Sequence, residues 1–208
     1  MLIDISRYSK KTGGMIRKYE KKSTSELLAE LVRNHEGSLD YYHGCGEGAL
    51  IQIVIFDRGA SEIALIIETL SDILDNKPLE DYSTCIGCLL NLVRERFQPP
   101  FTGFYWELEK PKCDPNKLPA HLKERISIVL GRLLCCEDIA YSGDRSNKST
   151  ILEILGFCGR PSVKPYLKRF KSMVQNGGGK NVISQLTNAL FSGEDVEMAD
   201  EVLEKIHK

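Results

Sequence analysis

Ala49-Leu50-Ile51-Gln52-Ile53-Val54-Ile55-Phe56 is an almost unbroken apolar run, and it fits two different folds. Read alone it suits a buried strand, because it is short and rich in β-branched side chains. Its surroundings favour a helix. Asp57-Arg58-Gly59 is a short break. From Ser61 to Leu74 the apolar residues Ile63, Ile66, Ile67, Leu70, Ile73 and Leu74 recur at intervals of three and four, which is the helical period. Two short apolar segments around a glycine break predict a helical hairpin.

Working outward, the same period continues. Ser23 stands three residues before Glu26, so its hydroxyl can cap a backbone N–H while the carboxylate reaches back. Leu27, Leu28, Leu31 and Val32 then form one apolar stripe. Residues 82–96 and 120–136 read as further helices, and the C-terminal region as four more, at 149–157, 162–175, 180–191 and 195–207. Two regions break the pattern. Residues 7–22 hold seven Lys/Arg and one acid, Glu20, and read as a basic arm, solvated or loosely docked. Residues 97–119 hold five prolines and read as a long irregular segment, the kind that is functional or a junction. The expected organisation is a basic arm over 1–22 and one helical domain over 23–208.

The stretch from 51 has an echo. Residues 151–167 repeat its grammar of apolar helix, glycine turn and second apolar helix, with Gly59 matched by Gly159, Ile63 by Val163 and Ile67 by Leu167. A looser third copy runs from Val182-Ile183 to Leu190, then Gly193 and Val196. One hairpin cannot bury both its faces, whereas stacked hairpins share a continuous core.

Leu155-Gly156-Phe157-Cys158-Gly159-Arg160-Pro161-Ser162-Val163-Lys164-Pro165-Tyr166-Leu167 is similar to the turn of HEAT-type (armadillo-like) repeats. Gly159 ends the first helix, Pro161 opens the second where no N–H is needed, and Val163 and Leu167 face the core. Gly156 would allow close helix packing. The similarity covers residues 149–175. It departs from the family in Pro165, inside the second helix, and in the Pro-rich segment that interrupts the spacing. It implies an all-α, irregular α-solenoid of stacked hairpins, and a surface that binds other proteins.

Composition agrees with a soluble globular chain. Of 208 residues, 42% are hydrophobic and 27% charged, with 28 Lys+Arg against 29 Asp+Glu. That balance argues against a generic nucleic-acid coat, which needs excess cations. The N-terminus lacks the apolar core of a signal peptide, and no run of 18 apolar residues occurs. Seven cysteines, several in apolar segments, read as reduced thiols of a cytoplasmic protein.

Four places carry possible chemistry. Cys85-Ile86-Gly87-Cys88 is half a zinc motif, but no second C-x-x-C completes it, so buried thiols are expected and no metal. His43-Gly44-Cys45-Gly46-Glu47 would make Cys45 a nucleophile with His43 as its base, although no third orienting group is evident. The competing reading is a glycine turn. Asn176-Gly177-Gly178-Gly179-Lys180 lacks the P-loop frame and reads as a turn. Phe97, Phe101, Phe104, Tyr105 and Trp106 gather five of sixteen aromatics in ten residues. Phe101, Phe104, Tyr105 and Trp106 are the expected partner-binding group, with a core-sealing plug as the competing role.

The function expected from the sequence is a non-catalytic protein-binding scaffold or adaptor without cofactors. Its partner would be another protein, and neither a membrane nor nucleic acid. Two alternatives stay open: a small Cys45/His43 enzyme, and an immunity or antitoxin protein that masks a toxin.

Overall fold

The structure, a computed structural model, describes residues 9–34, 47–97, 113–136, 147–175 and 182–207. Among these residues there are nine α-helices and no strand. The apolar stretch that fits either fold is helical. The chain divides into two compact units, one running to Cys113 and one beginning at Asp114. The division falls inside the Pro-rich segment, within what the sequence presents as one domain.

The first unit contains α1 (Lys10–Glu20), α2 (Thr24–Asn34), α3 (Glu47–Asp57), α4 (Ile63–Asn76) and α5 (Leu79–Phe97). Ile51 to Phe56 of α3 are all buried. A helix apolar on every side belongs at the centre of its unit. Accordingly α1, α2 and α5 all pack on α3. Gln52, the polar residue inside this run, meets the Cys88 thiol of α5 in a side-chain hydrogen bond. The capping box at the start of α2 forms as its spacing requires: Ser23 N donates to Glu26 Oε2 at 2.7 Å, and Glu26 N to Ser23 Oγ at 3.2 Å.

The basic arm is corrected. Residues 10–20 form α1, capped by Ser9 Oγ, which accepts from Thr12 N at 3.2 Å. Ile16 and Tyr19 have no solvent exposure, and Gly13 is buried beside them. Their spacing of three puts one apolar stripe under a cationic outer face. The charges dominate the reading of this stretch and the stripe escapes it.

The second unit contains α6 (Ala120–Leu134), α7 (Asn147–Cys158), α8 (Lys164–Gln175) and α9 (Val182–His207). Pro165 is the second residue of α8, in the first turn, where a missing N–H costs nothing. The expected break at Gly193 is absent, and α9 runs through it. An interior glycine costs a helix only about 1 kcal/mol, and no proline or tertiary cap follows to stop the chain. The acids from Glu194 onward therefore lie within α9 rather than at a helix start.

The two units share part of their element order. Helix α3, a turn at Gly59, a short 3-10 segment (Ala60–Glu62) and α4 correspond to α7, Gly159, Pro161–Val163 and α8. Buried residues match a hundred positions apart: Ile51 with Ile151, Val54 with Ile154, Ile55 with Leu155, Ile63 with Val163, Ile67 with Leu167, Leu70 with Phe170. The helices flanking each turn also share their neighbours. In the first unit α2 and α5 each pack against both α3 and α4, and in the second α6 and α9 each pack against both α7 and α8.

Candidate functional site

The expected partner-binding residues Phe101, Phe104, Tyr105 and Trp106, and the alternative pair His43 and Cys45, lie outside the described residues. So does the glycine turn at 176–180. The ends of the aromatic segment are described, and they meet: Cys113 N donates to Arg96 O at 2.8 Å, so the chain returns to the end of α5.

Arg96 is 1% exposed. Its guanidinium donates to Ile55 O at 3.0 Å, to Gly59 O at 2.9 Å and to Leu92 O, and lies 5.0 Å from the centre of the Phe56 ring. A helix end leaves carbonyls without intrahelical donors, and a planar fork of N–H groups suits them. Burial pulls the Arg96 pKa down to about 10, opposed by Glu62, Cys113 and Glu95. Arg58, in the same turn, donates to Thr24 Oγ1 at 2.8 Å, to Glu20 O at 3.3 Å and to Lys22 O. Both guanidinium groups therefore hold backbone, and neither is offered to a ligand.

The cysteines are equally occupied by structure. Burial pushes the Cys85 thiol far above its ordinary range, with Cys88 adding to the rise. Burial also pushes Cys88 up to about 11. Cys135 is raised chiefly by burial and lies 3.4 Å from Tyr166 O. Thiols held protonated are poor nucleophiles and poor metal ligands. Among the described residues no group of three or more His, Cys, Asp or Glu gathers as a metal would need. No described helix is long and apolar enough to cross a membrane.

Among the described residues of the first unit there is an open groove of about 490 Å³ between α2 and α4. Leu28, Ala29 and Val32 of α2 face Leu65 of α4 across it. Leu65 is 39% exposed, and with Phe157 of the second unit it is one of two large apolar side chains that stand out among the described residues. Glu68 and Asp72 line the α4 wall, and Arg33 and Lys77 complete the rim. Leu65 lies outside the stripe of Ile63, Ile66, Ile67 and Leu70, so the sequence did carry a signal for its outward position. The groove itself was not foreseen, because it needs α2 beside α4.

In the second unit the Tyr166 ring of α8 lies so close to Gly131 of α6 that a Cβ on Gly131 would fall 2.6 Å from the ring. Gly131, not Gly156, permits the close approach, since a Cβ on Gly156 would make only ordinary contact with Val202. The charges are also reversed. Helix α4 carries Glu68, Asp72 and Asp75 and no cation, whereas α8 carries Lys164, Lys168, Arg169 and Lys171 and no acid. Compared with known proteins, the chain matches no family model, no curated protein and no solved structure.

Proposed function

We propose that this chain is a non-catalytic protein-binding scaffold, and that the α2–α4 groove takes up an amphipathic helix bearing Lys or Arg. The observation that carries it is the groove itself, an apolar floor of Leu28, Val32 and Leu65 under a wall bearing Glu68 and Asp72. An apolar channel between two helices accepts the apolar face of a third, as in helix-in-groove recognition. Glu68 and Asp72 favour cations on the α4 side of that face, while Arg33 and Lys77 favour acids along the rest of the rim.

A photo-reactive residue in place of Ala29 tests this, with one at Asp81 on the exposed side of α5 as control. The captured segment should carry Lys or Arg at helical spacing, and Leu65→Glu should abolish capture. Capture from Ala29 that does not exceed capture from Asp81, or capture of an acidic or extended segment, would overturn the reading.

A further inference from the structure

Independently of the groove, we infer that the outer face of α1 is a docking surface for the sugar–phosphate backbone of a duplex nucleic acid. Helix α1 packs on α3, and its buried residues are Gly13, Ile16 and Tyr19. At about 100° per residue, Lys10, Lys11, Gly14, Arg17, Lys18 and Lys21 fall within one arc of about 120°, opposite that buried stripe. All six are exposed. Glu20, the one acid of the helix, lies outside the arc and is half-buried. Among the described residues none of the five cations pairs with a carboxylate. Lys22, past the end of the helix, is the neighbour that does, with Glu30. Lys18 Nζ lies 5.6 Å from the centre of the Tyr19 ring, which steadies it and leaves its charge.

Two features of this face work against the fold. Lys10 and Lys11 stand in the first turn of α1 with no acid beside them, at the end where the helix dipole disfavours cations. Gly14 lies inside the helix and is exposed, with nothing within 4 Å of the place its Cβ would take. Neither packing nor a left-handed backbone calls for glycine there, and glycine weakens a helix interior. Local rules are broken where function requires it. An anion lying along the face answers both features. It offsets the lysines, and the missing side chain lets it approach the helix between the two cation pairs.

The chemistry of the face selects the partner. Ile16 and Tyr19 are turned inward, so the helix has no apolar side chain to sink into a bilayer. Protein partners are held by buried aromatic and Arg anchors, and lysine is depleted from such interfaces. A single strand is held by bases stacked on exposed aromatics, and the face has none. A duplex backbone asks only for cations along a line. The face is about 16 Å long, and a duplex presents one phosphate charge per about 1.7 Å of its axis. No Asn or Gln stands on the face either, so the backbone is recognised and not the sequence, and duplex DNA and duplex RNA both qualify. The net charge of -1 belongs to the whole chain. Its acids stand on other elements, such as Glu68, Asp72 and Asp75 of α4, and the local field decides the contact.

The purified chain tests this by fluorescence anisotropy with labelled mixed-sequence duplexes of about 20 base pairs, DNA and RNA, between about 50 and about 150 mM salt. Binding should weaken on the order of fiftyfold across that range, as neutralising about four phosphates requires. Arg17→Glu with Lys18→Glu should weaken it on the order of tenfold at the lower salt and reduce the salt slope by about two. Gly14→Glu should also weaken it on the order of tenfold, and because glutamate is a better helix former than glycine, that loss cannot come from unfolding. Lys168→Glu with Arg169→Glu makes the same change in net charge on α8 and should leave binding within about twofold. No binding at the lower salt, an unchanged slope in the Arg17/Lys18 variant, an equal loss from the α8 variant, or tighter binding of a single strand overturns the inference. Phosphatidylserine vesicles that displace the duplex at equal anionic charge would assign the face to a membrane surface. Poly-glutamate that does so would assign it to an acidic protein, and either displacement overturns the inference.

Discussion

At Gly59 the carbonyls that end α3 are received by the buried guanidinium of Arg96, whereas at Gly159 the chain turns on its own backbone and one serine hydroxyl. In the first turn Arg96 reaches Ile55 O at 3.0 Å and Gly59 O at 2.9 Å. In the second, Gly159 N donates to Leu155 O at 2.8 Å and Arg160 N to Ser127 Oγ at 2.8 Å. Ser127 is itself anchored, donating to Lys123 O at 2.9 Å. Both turns are tied through a hydroxyl to an earlier helix, Thr24 of α2 in one unit and Ser127 of α6 in the other. The difference teaches that a repeated backbone plan does not require repeated side chains. What must be conserved is a donor for each buried carbonyl and an acceptor for each buried N–H.

That contrast can be broken most severely at Arg96. Arg96→Ala takes the guanidinium from the Ile55, Gly59 and Leu92 carbonyls, leaving Ile55 O with Arg58 N at 3.2 Å and Gly59 O with Glu62 N at 3.5 Å, and empties a fully buried site, so it should destabilise the first unit by about 3 kcal/mol. Arg96→Lys should not restore it, because one ammonium cannot span carbonyls that a planar fork reaches. Urea unfolding followed by circular dichroism gives the size of the loss. Amide exchange should place it in residues 47–97, and an equal loss in 147–175 would contradict the account.

The glycines come next. Gly59 has φ 85° and ψ -162°, a region open essentially to glycine alone, so Gly59→Ala should cost about 1–3 kcal/mol. Gly159 is required for a different reason, since its Cβ would lie 2.5 Å from Leu155 O. Gly159→Ala should destabilise the second unit, and amide exchange should show each loss confined to its own unit.

A smaller effect is expected at Ser127. Ser127→Ala removes the acceptor for Arg160 N and should cost about 1 kcal/mol in thermal melts. The corresponding change in the first unit, Thr24→Val, should cost less, because Arg58 keeps its bonds to two carbonyls.

The smallest expected effect concerns pH. Asp195 on α9 is buried and accepts from Ser149 Oγ at 2.7 Å. Burial raises its carboxyl above the ordinary value of 3.8, with the Ser149 hydrogen bond and Lys148 opposing the rise. A carboxyl raised on folding binds its proton more readily in the folded state. Its contribution is thus fully present below 3.8 and is lost as pH rises through the raised value. Asp195→Asn keeps an acceptor for Ser149 without a buried charge. Melts of the variant should show a flatter slope across that acidic interval and no loss at neutral pH; a steeper slope would contradict the assignment.

Much of the plan is local and was legible. The period of Ile63, Ile66, Ile67 and Leu70, the Ser23–Glu26 capping box and the two glycine turns each depend on residues a few positions apart. The stripe of Gly13, Ile16 and Tyr19 was equally local, but seven cations around it concealed it. The candidate groove was legible only in part. Leu65 stands off its helix's apolar stripe, yet nothing local says that α2 lies opposite.

The amino-acid sequence by itself determined that most of these segments are helices, because apolar spacing, caps and glycine breaks act within one or two helical turns. Only the tertiary structure decided what fills the space between helices. Arg96 seals carbonyls thirty-seven and forty-one residues before it, and Gly131 yields to Tyr166 thirty-five residues after it. Those are contacts between distant segments, and their partners are chosen by packing, which no local spacing records.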